Sequence, residues 1–171
     1  QIACLEASGS QSSDLPLDVV DDEIAAIENH VVGFAKAPVA LPRMPDAFEK
    51  AKCASCHVPR METRNGEEVA LFSDLLLHDM GEQLSSYGSE GSAMASEWRT
   101  TGLVGYRGQI PGHRFLHDGR AANVDEAIRW HGGEAEASRE AYIAMTARER
   151  IDLASYVLAL LSSMPVPPQG D

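Results

Sequence analysis

The sequence predicts a mainly α domain with long loops. Three observations carry that expectation. Apolar residues recur at helical spacing in "VDDEIAAIENHVVGFAK", and a capping box precedes an apolar stripe near the C-terminus. Between them run glycine-rich stretches too irregular for regular structure. With 171 residues the chain fits one domain with extensions, long enough to enclose a sizeable core or a bulky cofactor.

Residues 1–19 are serine-rich, contain Pro16 and show no periodicity, so an extended arm is expected there. The domain proper is placed at 20–164, with a tail over 165–171. Its first helix carries Ile24, Ile27, Val31, Val32 and Phe34 on a helical period behind an acidic start. "APVALPRMP" ends it, because proline lacks an amide donor and restricts the residue before it. A second helix is expected from Asp46 on through "AFEKAKCASCH". "EEVALFSDLLLHDMG" reads equally as a buried strand or a helical turn stopped by Gly81, and "GEQLSSYGSEGSAMASE" as a polar surface loop framing a site. In "TTGLVGYRGQIPGHRFLHDGR" glycines at 102, 105, 108, 112 and 119 suit a loop that wraps closely around something. Asn123 then caps a short helix with Asp125 and Glu126 in its first turn and Gly132-Gly133 at its end. The last helix has Thr146 and Glu149 as its capping box and Ile151, Ala154, Val157, Leu158 and Leu161 on one face, and "PVPPQGD" terminates it.

A net charge of −12, from 26 acidic against 14 basic residues, argues against nucleic acid or an anionic membrane as partner and favours a basic protein. No run approaches the about 18 consecutive apolar residues of a membrane span. The start lacks a basic n-region and an apolar h-region, so either a secretory signal has been removed or the chain begins inside a longer precursor.

"KCASCHVP" carries the chemistry. Cys53, Cys56 and His57 have the C-x-x-C-H spacing of c-type haem attachment: two thiols three residues apart reach the two vinyl groups of one porphyrin, and the next imidazole ligates the iron. A structural zinc site wants a second close Cys or His pair, which is lacking. A thioredoxin-like dithiol wants a preceding buried strand, whereas "AFEKAK" is amphipathic. A disulfide at this spacing would close too short a loop to constrain much. The expectation is thus a cytochrome c-like domain around one covalently bound haem c, exported to the periplasm, where such attachment is made. Cys4 is left as an odd thiol.

The residues alone leave the iron's second ligand open among His30, His78, His113, His117, His131 and the methionines Met61, Met80 and Met94. Met80, in "LHDMG", suits a buried thioether ligand or ordinary core filling equally. "LFSDLLLHDMG", "EWRT" and "FLHDGRAANVDEAIRWHGGEA", together with CASCH, resemble the C-terminal haem domain of the di-haem oxidoreductases sometimes called thiol-oxidoreductase-like. These are relatives of the bacterial di-haem cytochrome c peroxidases and the methylamine dehydrogenase maturation enzyme. The likeness spans about residues 20 to 162. In that superfamily the residue on the haem's distal face follows a His-x-Gly stretch at a fixed interval. Counted from His117, the interval ends on His131, so the resemblance implies His57 and His131 as axial pair, with Met80 and His117 as runners-up. His131 also closes a short helix, where a side chain can project into a cavity.

Arg99, Arg114 and above all Arg120 are candidates to pair with haem propionates through charge-assisted bonds, and Trp98 and Trp130 to pack on the porphyrin or in the core. The family shows prolines and a Trp after "EWRT" where this chain has "TGLVGY", and carries two haems where this chain has one C-x-x-C-H. Two functions follow. In the first, a six-coordinate haem passes single electrons to an electron-transfer protein or a second haem domain or subunit, at a potential that two imidazoles hold below that of a His/Met pair. In the second, an open or displaceable distal face makes the domain a peroxidase or oxidase half-site. A haem-free interaction module would require the cysteine motif to be coincidental.

Overall fold

The computed structural model describes residues 21–36, 40–88, 91–105, 112 and 114–163. The arm expected at 1–19 and the tail at 165–171 lie outside the described residues. The chain divides into two units, one of residues 1–37 with 166–171 and one of 38–165. In the first unit, helix α1 (Asp21–Lys36) forms where its apolar spacing predicts, and Ile24 and Ile27 are exposed on it.

The second unit opens with helix α2 (Asp46–Lys50), started by extended Pro45 and burying Ala47 and Phe48. It does not run on through CASCH as expected. Lys52 adopts a left-handed φ of 57°, and Cys53–Ser55 form a single 3-10 turn. The break re-aims the cysteines relative to α2 and keeps their i,i+3 relation within one turn.

The mainly α expectation is corrected by two small antiparallel sheets. Strand β1 (Met61–Glu62) pairs with β2 (Glu68–Val69), and β3 (Leu77–Asp79) pairs with β4 (Glu97–Arg99), His78 facing Trp98 across the ladder. Neither "LHD" nor "EWR" is long enough to show a period-2 pattern, and the loop joining them is no tight hairpin. Their pairing is a tertiary event with no local signature.

Three helices complete the unit. Helix α3 (Val124–Arg129) is capped as predicted, the Asn123 side chain accepting from the Glu126 amide at 2.8 Å. Helix α4 (Glu136–Ile143) was not anticipated. Helix α5 (Ala147–Ser162) carries the predicted capping box of Thr146 and Glu149. Lys50 bonds Glu149 at 2.5 Å, tying the end of α2 to the start of α5. The core lies between these two helices. Phe48 and Leu160 are fully buried in it, and the rings of Phe48, Phe72 and Tyr156 meet edge to face with centroids 5.5 to 6.3 Å apart. Such contacts contribute about 0.5–1.5 kcal/mol per pair beyond the area they bury. A second cluster, Val124, Val157 and Leu161, joins α3 to α5. Fully buried Tyr142 of α4 gives its hydroxyl proton to Asp125 at 2.7 Å, which locks α4 to α3.

Candidate functional site

A cavity of about 280 Å³ opens between the CASCH turn, the β3–β4 sheet, residues 115–117, α3 and α5. Its walls are mainly apolar and include Leu84, Leu103, Phe115, Ile128 and Leu153. Cys53, Cys56, His57 and His131 all line it, so a motif in one turn and a histidine beyond α3 converge on one space. Met80, His117 and Arg99 line it too. Arg120 and Trp130 do not. The Arg120 guanidinium lies 5.0 Å over the Trp130 ring, donates to Asp118 at 2.6 Å and also bonds the Gln83 carbonyl. Arg114 is likewise spent on the carbonyls of Gly119 and Arg120. Cys4, His113 and the side chain of His30 lie outside the described residues.

The two cavity histidines share one arrangement. His57 Nδ1 lies 3.0 Å from the Phe72 carbonyl oxygen, and His131 Nδ1 lies 2.8 Å from that of Ala127. A carbonyl only accepts, so each Nδ1 carries the proton and each Nε2 keeps its lone pair. Burial lowers both pKa values, that of His57 to about 4, and the charged form of each ring would repel the other. At neutral pH both rings are therefore neutral imidazoles, the state a metal requires, and the His57 ring also interacts with the Thr101 main chain.

The cysteines are reduced thiols in different settings. Cys53 packs against the core, and burial pushes its thiol up to about 12, whereas Cys56 sits nearer the mouth, raised by burial and then by the Asp74 carboxylate. Neither thiol is poised as a nucleophile.

Around the mouth stands a network the sequence did not foretell. His78 bonds Asp74 through Nε2 at 2.8 Å and Glu134 through Nδ1 at 2.9 Å, so both ring nitrogens face carboxylates and the pKa is raised. Asp74 is held at about 2: burial opposes this, but the Leu76 amide, Thr100 and His78 prevail. Glu134 also accepts from the Asp79 amide at 3.1 Å, fastening the segment after His131 to β3. The signal that existed was the pairing of "LHD" with "GGE", acids and bases in two short motifs. Trp98 stacks on His117, centroids 3.7 Å apart and planes 10° from parallel, while its indole nitrogen donates to the Leu84 carbonyl. His117 is thereby engaged as a wall, with its flat face covered.

These residues suit a haem. Two neutral imidazoles and two thiols line one mainly apolar space, and the Arg99 guanidinium, which also lines it, has no ion pair among the described residues. Residues 37–160, more than half the chain, match the family described as "Di-haem oxidoreductase, putative peroxidase". No curated protein and no solved structure matches the chain.

Proposed function

The chain belongs to the di-haem oxidoreductase family, and from that premise we propose that it is a c-type cytochrome domain passing single electrons through one covalently held, six-coordinate haem. The observation that carries the reading is the pair His57 and His131, each held through Nδ1 by a main-chain carbonyl and each lining the same cavity. Cys53 and Cys56 would hold the group by thioether bonds, and His57 and His131 would each give its iron a nitrogen. The group supplies one-electron redox chemistry when bound.

The chain's own residues do the rest. The apolar walls exclude water, the carbonyls of Phe72 and Ala127 orient the imidazoles, and Arg99 gives a propionate a cation to pair with. The setting proposed is the periplasm, with a second haem domain or subunit, or a separate electron carrier, as partner. The test is the optical spectrum of the purified ferric protein together with haem staining of the denatured chain. Low-spin six-coordinate bands and a stained chain are expected. High-spin bands with prompt reaction toward peroxide would instead support a peroxidase half-site, the reading that the family's description favours. An unstained chain would overturn both.

A further inference from the structure

Leu75, Leu76 and Leu77 are consecutive and 45%, 60% and 51% exposed. None lines the cavity, so nothing bound there covers them. Single exposed leucines are ordinary on a protein surface, but three in a row are not. The run is rigidly built. The Leu75 amide donates to the Ser73 hydroxyl at 3.0 Å, and that buried hydroxyl donates to the Thr100 carbonyl at 2.7 Å. The Leu76 amide donates to Asp74 at 3.0 Å, and the Thr100 amide to the Leu76 carbonyl at 3.0 Å. Leu75 sits at a φ of 62°, a left-handed conformation that leucine seldom adopts. Four hydrogen bonds thus hold a strained apolar run outward.

Its position gives it a use. His78, the next residue, and Arg99, the register partner of Leu77, both line the cavity, and the ligand atoms of Asp74 and His78 lie within 4.8 Å of the Cys56 sulfur. The run therefore adjoins the cavity mouth on the Cys56 side. Its border carries carboxylates, with the Arg99 guanidinium and the His78 imidazole among them. Asp74 precedes it, Asp79 closes β3, and Glu134 reaches in through His78, two carboxylates sharing one imidazole. The chain as a whole carries −12.

We propose that Leu75 to Leu77 form the docking surface for a basic single-electron protein, the leucines supplying a dry contact centre and the carboxylates steering the partner's cations into place. This deepens the electron-transfer reading and rests on it. The experiment uses the haem-loaded protein and a lysine-rich monohaem cytochrome c as probe. Affinity is measured by titration calorimetry at low salt, and electron transfer separately with hexaammineruthenium, which needs no docking surface. Leu76→Ser, at an exposed position that the fold does not depend on, is expected to weaken probe binding about ten-fold and to leave the reaction with hexaammineruthenium unchanged. Wild-type binding should fall steeply as salt is raised. Unchanged affinity in the variant would overturn the proposal, as would wild-type affinity for an acidic probe equal to that for the basic one. It would also be overturned by sedimentation showing a wild-type dimer that Leu76→Ser makes monomeric, since the leucines would then serve a second copy. Failure of the wild type to exchange electrons with hexaammineruthenium would sink the functional reading alone, because calorimetry reports the docking independently.

Discussion

A Cβ added to Gly133 would lie 2.2 Å from the carbonyl oxygen of Asp79, inside any allowed contact. Gly133 also has a φ of 53°, and its neighbour Gly132 would place a Cβ 3.0 Å from the Met80 carbonyl. The backbone just after His131 is thus pressed against the end of β3, and only glycine permits the approach. Gly133→Ala must push the two segments apart. It should cost about 1–3 kcal/mol in denaturant unfolding and, by displacing His131, convert part of the haem-loaded protein to a high-spin spectrum.

His131→Ala should leave covalent haem in place, because Cys53, Cys56 and His57 are untouched, and should give a five-coordinate, high-spin spectrum. Both runners-up line the cavity, but His117 is stacked on Trp98. A mutant that stays low-spin would point to Met80 as the distal ligand.

Phe48 has no exposed surface and touches both Phe72 and Tyr156 edge to face. Phe48→Ala leaves a cavity under the CASCH turn as well as in the core. A loss of about 3–5 kcal/mol is expected by chemical denaturation, and a loss below 1 kcal/mol would mean that the site collapses freely.

Glu149 is bonded by the Lys50 ammonium, the Thr146 hydroxyl and the Thr146 amide, in that order of effect, and its carboxyl is held at about 2, below the ordinary 4.5. A folded-state value below the unfolded one means that the contribution is complete above about pH 4.5 and is lost as pH falls toward 2. Glu149→Gln should therefore be less stable than wild type at neutral pH by an amount that shrinks steadily from pH 4.5 to 2. Thermal melts across that range measure it, and a difference that does not change with pH would place the effect in packing.

What could be read in advance was what local chemistry decides. Asn123 before an acidic turn, Thr146 three residues ahead of Glu149, and the proline-rich end of α1 each act within a few residues, and each helix forms where they place it. The spacing of Cys53, Cys56 and His57 is local in the same way, and all three line one cavity. The pairing of β3 with β4 was not, because the register of His78 on Trp98 depends on a closure over a long loop. Nor was the left-handed turn at Lys52, a residue with no special leaning toward that conformation. Helix α4 went unseen because its apolar pattern is thin, with Tyr142 its only buried residue. Arg120 and Trp130 show the converse. Their neighbourhood in the motif suggested the cofactor, yet a cation and an aromatic ring ten residues apart satisfy one another outside the cavity.

Phe72 stands with its ring in the aromatic trio and its carbonyl on His57, at a φ of 52°. A substitution of Tyr156 that tilts the trio reaches the His57 imidazole through that carbonyl, although Tyr156 itself does not line the cavity. Interior packing thereby sets the orientation of an imidazole, and conservative exchanges outside the cavity are able to turn it.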